Sequence, residues 1–222
     1  WVLHVDGLVR NTDDTRIPGP ALLAEDGHDD HDHDPGHADE VPAVFNGRLG
    51  NSRVSTRAGG VGATWFGDEA YAGLALSTYR SKYGIPLGAH VHGEDGHGHH
   101  DHGDDAHTDE VHAEDPVVRV DMVSNRAEFR AGLDNPTGWL KGLHLRSAWT
   151  DYEHHELEDG QAITRFANQG LETRLEAVQQ TINGWDGAFG LQLADTRFRA
   201  DGAEAFVPGT DTRTVALFVL QE

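Results

Sequence analysis

The chain has 222 residues, enough for one all-β domain or two small ones, and carries a formal charge of −21, with 38 acids against 17 Lys and Arg. A field of that sign repels nucleic acid and attracts cations. The lack of cysteine removes disulfides, thiolate zinc sites and thiol nucleophiles together, and no apolar run is long enough for a membrane-spanning helix, which leaves membrane-crossing strands open.

Along the chain, apolar and polar residues alternate with the period of two that marks half-buried strands. In a first strand near 1–10, Trp1, Leu3, Val5 and Val9 share one parity, and His4, Asp6 and Arg10 the other. A long connection, 11–52, follows; residues 25–40 within it hold eight acids. Strands near 53–66 and 70–83 continue the alternation, with Val61, Ala63 and Trp65 set against Gly60, Gly62 and Thr64, and the short turn "GDE" at 67–69 between them. The next connection, 84–116, contains "HVHGEDGHGHHDHGDDAHTDEVHAED" (90–115), with eight histidines and nine acids. In the strand near 117–132 the apolar parity switches between Met122 and Ala127, which predicts a bulge near Ser124–Asn125.

After the turn "DNPTGWLKG" (134–142), Leu143, Leu145 and Trp149 oppose His144, Arg146 and Thr150 in a strand near 141–153. A longer connection at 154–163 is expected next. In "LETRLEAVQQ", Leu171, Leu175 and Val178 also suit a helix; the opposition of Leu171, Thr173, Leu175 and Ala177 to Glu172, Arg174 and Glu176 favours a strand, near 164–180. Beyond the turn "INGWDG" (182–187) come strands near 187–199 and 212–221, with a longer connection at 200–211.

Eight strands joined alternately by short and long connections predict an antiparallel up-and-down meander, with tight turns at one end and long loops at the other. That asymmetry belongs to transmembrane barrels of the bacterial outer membrane, and the strands reach the ~9–11 residues that a tilted crossing needs. Trp65, Tyr71, Trp139 and Trp185 flank the short turns, where an interfacial girdle belongs, and Tyr79, Tyr83, Trp149 and Tyr152 lie toward the long-loop end. A soluble β-sandwich also alternates, but its strands usually run about 5–6 residues.

His28, His31, His33 and His37 fall in the first long connection. His90, His92, His97, His99, His100, His102, His107 and His112 fall in the second, and His154 and His155 begin the third. All fourteen are candidate metal ligands, and the meander places them at one end. Imidazole suits zinc, nickel, cobalt and copper, and carboxylates complete the set. Zinc leads, because it accepts any mixture of nitrogen and oxygen ligands. The competing reading is a solvated low-complexity loop with no fixed role. His154 and His155, beside Asp151, Glu153, Glu156 and Glu158, could form a more ordered site. His4 and His144 are expected as hydrogen-bonding groups on the polar face of their strands.

No enzyme signature is present. "GGVG" (59–62) lacks the strand–turn–helix context of a phosphate loop, "HHE" (154–156) has the wrong spacing for a zinc protease, and no serine stands in an elbow motif. No catalytic residue and no required cofactor are assigned.

"LHVDGLVRNTDDTRIPG" (3–19), "NSRVSTRAGGVGATWFGDEAYAGLALSTYRSKYGIP" (51–86), "DYEHHELEDGQAITRFANQGLETRLEA" (151–177) and "GAEAFVPGTDTRTVALFVLQE" (202–222) resemble the barrel of TonB-dependent outer-membrane receptors, nearest the zinc-uptake branch. "YGIP" (83–86) and "EAFVPGT" (204–210) are the most specific pieces. The resemblance implies a barrel of about 22 strands closed by a plug, with uptake driven by the TonB complex of the inner membrane. The chain is then expected to be a barrel fragment of about eight strands without the plug, carrying disordered His/Asp-rich loops at about 20–45 and 87–116. Its expected role is capture and uptake of a divalent metal, zinc first, in contact with outer-membrane lipid. A receptor for a metal–siderophore or other chelate is the alternative within transport. A soluble or surface β-protein that buffers metal is the alternative outside it.

Overall fold

A computed structural model describes residues 1–21, 45–86, 117–203 and 205–222, so the acidic tracts and the loop expectations at 20–45 and 87–116 fall almost wholly outside the described residues. Within them the chain is all-β, without a helix. In chain order the strands are β1 (Val2–Thr12), β2 (Arg16–Ala21), β3 (Phe45–Arg48), β4 (Val54–Phe66), β5 (Ala70–Gly84), β6 (Val118–Thr137), β7 (Leu140–Glu158), β8 (Gln161–Ile182), β9 (Trp185–Gly202) and β10 (Thr210–Gln221). Eight of them form one antiparallel sheet in the order β1-β4-β5-β6-β7-β8-β9-β10, an up-and-down meander. The sheet is not closed: β1 and β10 are its edges, each with a single neighbour.

Loop chemistry sets the tight turns. Asn183 and Gly184 both adopt positive φ between β8 and β9, the Asn-Gly hairpin solution whose twist matches the strands it joins. Asp159 and Gly160 do the same between β7 and β8. The longer connection expected at 154–163 is therefore a two-residue turn, and His154 and His155 lie inside β7, paired with Phe166 and Arg165 of β8. A second difference is the hairpin β2–β3 inside the first long connection. The segment 171–180 is strand, in β8.

Cross-strand partners share a face of the sheet. On one face, Trp65, Ala72, Ala131, Leu145, Leu175, Leu191 and Leu217 form a continuous row of direct partners. Parallel rows run through Leu3, Ala63, Leu74 and Phe129, and through Leu133, Leu143, Ala177, Phe189 and Val219. We call this the aliphatic face. On the other, polar face the row is Gly73, Arg130, Arg146, Arg174 and Gln192.

Toward the long-connection end this assignment inverts. Val54, Tyr83, Val120, Glu156 and Thr164 make a row on the polar-face side, where Val120 and Thr164 are buried. The aliphatic-face side there carries charge: Arg57, Arg80, Lys82, Asp121, Glu153, Arg165, Arg199 and Asp211. The parity switch in β6 follows from this inversion and not from a bulge. The register of β6 runs unbroken past Ser124 and Asn125 against both β5 and β7.

The only buried hydrophobic residues among those described are Val118, Val120, Leu140 and Ala177. Among the described residues no other element covers the aliphatic face: in the sheet interior Leu74 is at 54% and Leu175 at 40% of full exposure, and only the small Ala177 is buried there, among its neighbours' side chains. Each large apolar side chain left in water forgoes roughly 1.5–3 kcal/mol, against a typical domain stability of about 5–15 kcal/mol. A face of this size cannot stay bare.

Candidate metal-capture rim and charged face

Both long connections leave the same end of the meander, and their feet are tied together. The Asp14 carboxylate accepts from the backbone N–H groups of Ser52 and Arg53, each at 3.0 Å, closing the base of the first connection. Asn51, in the left-handed region at φ 55°, donates from Nδ2 to the carbonyls of Ile85 and Val118, both at 2.7 Å. Ile85 and Val118 are the two feet of the second connection, so one amide clamps both to the first. Asp159 joins from the β7–β8 turn, accepting from the Val117 N–H at 3.2 Å. These strand ends make one rim.

His28, His31, His33, His37, His90, His92, His97, His99, His100, His102, His107 and His112 lie outside the described residues. His154 and His155 are described, and they are not brought together. Neighbours on a strand point to opposite faces. His154 stacks on Phe166 with centroids 4.6 Å apart, and its Nδ1 sits 2.9 Å from the Tyr152 hydroxyl. His155 lies on the other side, 3.7 Å from Glu153. The carboxylates divide in the same way, with Asp151 and Glu153 beside His155, and Glu156 on the His154 side. No group of three His, Asp or Glu placed to hold a metal occurs among the described residues. The more ordered site expected around this pair is therefore not assembled by these side chains.

These groups stand beyond the aliphatic belt. Burial against Phe166 pushes the His154 imidazole below its usual range, with the charge of His155 adding to the effect. The hydrogen bond from Arg165 holds the Glu153 carboxyl below the ordinary carboxylate range.

The polar face carries its own charge. Arg130, Arg146 and Arg174 are direct cross-strand partners, an arrangement that like charges disfavour. Carboxylates relieve part of it: Glu128 accepts from Arg126 at 2.6 Å and Arg130 at 3.2 Å, and Glu176 from Arg174 at 2.8 Å. The Arg174 guanidinium also lies 4.2 Å above the Phe218 ring. Arg146 has no carboxylate within 4.0 Å among the described residues. Alternation within each strand put Arg146 and Arg174 opposite their apolar neighbours in the sequence, but the row across three strands needs the register.

His4 and His144 lie on the polar face. His4 Nε2 is 2.9 Å from Asp6, and the His144 ring faces Tyr71 at 6.5 Å. The aromatic residues divide differently from the expected girdles. Trp65, Trp139 and Trp185 are exposed near the short turns, and Trp139 stacks on Phe189 at 5.9 Å. Strand alternation puts Tyr71 on the polar face, where its ring fills the space left by its direct partner Gly132. Tyr79, Tyr83 and Tyr152 also take the polar-face side, leaving only Trp149 of the upper set on the aliphatic face.

No protein-family model matches the sequence.

Proposed function

We propose that this chain is a lipid-facing segment of an outer-membrane barrel, of the TonB-dependent receptor type, that takes up a divalent metal ion, zinc first. The observation that carries the reading is the bare aliphatic face. From Leu133 to Ala127 it covers about 20 Å of strand, and Trp65 and Trp139 extend it at the turn end. Outer-membrane barrels carry an apolar band about 25 Å tall with aromatic residues at its margins. The unpaired edges β1 and β10 fit a sheet continued by further strands, because an open edge is an exposed pairing template.

In this reading the rim faces outward and the plug and TonB complex act from the opposite side. The tracts at 25–40 and 90–115 concentrate cations by charge, and neutral imidazoles take the ion, so capture weakens as pH falls through about 6.5. No covalent step is involved. Deleting residues 90–115 from the folded protein should abolish most calorimetric zinc binding while strand content by circular dichroism is kept. Unchanged zinc binding would end the metal-capture reading.

One observation favours a second reading within transport. The row Arg130–Arg146–Arg174 on the polar face attracts anions, which suits a negatively charged metal chelate better than a bare cation. Free zinc that competes with uptake supports the first reading; uptake indifferent to free zinc supports the chelate.

A further inference from the structure

Beyond the belt, the aliphatic-face side of β4, β5 and β6 holds a run of cations: Arg57 in β4, Arg80 and Lys82 in β5, and Arg119 in β6, with Arg53 just before β4. Arg57 and Arg80 are direct cross-strand partners. Like charges in that position repel, and no carboxylate lies within 4.0 Å of either among the described residues. Among the described residues only Lys82 of this run has a carboxylate partner, Asp121 at 2.5 Å. In a chain of net charge −21 this is a local reversal of sign.

The surface beneath the pair is shaped as well as apolar. Gly7 and Gly59, direct partners, separate Val5 and Val61 from Val9 and Arg57. A Cβ on either glycine would meet nothing closer than 3.6 Å, so the sheet is stripped to backbone there. The result is an open depression of about 510 Å³ with Val5, Val61, Leu76, Ala127 and Trp149 as its apolar lining and the hydrogen-bonded pair Thr78–Asn125 on its rim-ward side. It runs from the aliphatic belt toward the Arg57–Arg80 pair. Arg57 stands four residues beyond Val61, about 13 Å along the strand, at the level where a bilayer changes from acyl chain to headgroup. A second hollow, about 380 Å³, lies above and includes Arg53, Lys82 and Arg119.

We infer that this face binds a lipid with a phosphate-bearing headgroup, its acyl chain in the Val61–Trp149 depression and its phosphate between Arg57 and Arg80. Guanidinium groups match phosphate oxygens in two-point hydrogen bonds, and the anion removes the repulsion between the arginines. The contrast across the sheet supports this assignment. Arg199, in the same cross-strand row as Arg57 and Arg80, pairs with Asp211 at 2.9 Å, and Arg165, two residues nearer the rim than that row, pairs with Glu153.

The inference rests on the membrane reading, and the test separates the two. The complete chain is placed in nanodiscs of phosphatidylcholine, with and without a minor share of phosphatidic acid, and bound lipids are counted by native mass spectrometry. The parent protein should retain phosphatidic acid selectively. Arg57→Gln with Arg80→Gln should weaken retention on the order of tenfold or more, and Val61→Trp, which fills the depression, should weaken it too. Arg199→Gln, on the paired side, should leave it unchanged, and excess inorganic phosphate should not displace the lipid. Failure to enter phosphatidylcholine overturns both readings. Entry with no preference for phosphatidic acid, equal losses in Arg199→Gln, or full displacement by inorganic phosphate overturns the lipid site alone.

Discussion

The two halves of this sheet obey opposite rules. In the half near the short turns, Leu145, Leu175 and Leu191 take the aliphatic face while Arg146, Arg174 and Glu176 take the other. In the rim half, Val120, His154 and Phe166 lie on the side that was polar below, and Glu153, Arg165 and Arg199 on the side that was apolar. The same strands pass through both halves without a break in register. In the proposed membrane setting, what changes along them is the solvent each face meets: hydrocarbon outside and water inside near the turns, then water outside and a packed interior at the rim. A strand that leaves a membrane needs just this exchange, whereas a strand in a β-sandwich keeps its buried face from end to end.

The comparison can be broken most severely in the belt. Leu145→Arg puts a cation between Ala131 and Leu175 and, if the face meets lipid, should cost about 2–4 kcal/mol of folding stability in a bilayer, read from denaturant titration in phosphatidylcholine. A neutral or stabilising result would mean that this face meets water. The rim half gives the opposite pattern. Val120→Ala, at a buried position, should cost about 1–2 kcal/mol, while Val123→Ala on the outward side of the same strand should change stability by less than about 0.5 kcal/mol. Equal losses at both would remove the inversion.

The smallest effect sharpens the account of the rim by pH. The folded-state pKa of His154 lies below its unfolded value, so protonation favours the unfolded chain. Its contribution is intact above about 6.5 and is lost as pH falls below that value. His154→Phe should remove this component of acid sensitivity, visible as a flatter midpoint-against-pH curve between neutral pH and the carboxylate range. Glu153 acts at lower pH: its depressed pKa means that its stabilisation is present above the unfolded carboxylate value and fades as pH falls through the folded one. As its pair with Arg165 is exposed, that term is at most about 1 kcal/mol.

The meander was legible because period two and loop length are local properties. Leu143, Leu145 and Trp149 against His144 and Arg146 define β7 without reference to any other strand. The inversion was not legible, because Met122 and Ala127 on opposite parities look like a bulge when one strand is read alone. Only alignment with Val54, Tyr83 and Phe166 shows that the neighbours switch at the same level. The Asp159–Gly160 turn was present in the sequence as a hairpin signal, but the crowding of His154, His155 and carboxylates drew the boundary of β7 too early. Pro18 and Pro20 disguised β2, since proline cannot donate to a ladder and marks a strand only at an edge. The arginine row and the basic pair Arg57–Arg80 both depend on register, which no single-strand pattern carries.

The central claim is that the aliphatic face meets lipid, and the absence of native cysteine makes it directly testable. Single cysteines at each position from 143 to 150 carry a nitroxide label, and collision rates with oxygen and with a water-soluble nickel chelate are measured in phosphatidylcholine bilayers. The account predicts that 143, 145, 147 and 149 collide with oxygen and are shielded from the chelate, with 144, 146, 148 and 150 reversed. Chelate access at the odd positions equal to that at the even ones would contradict it.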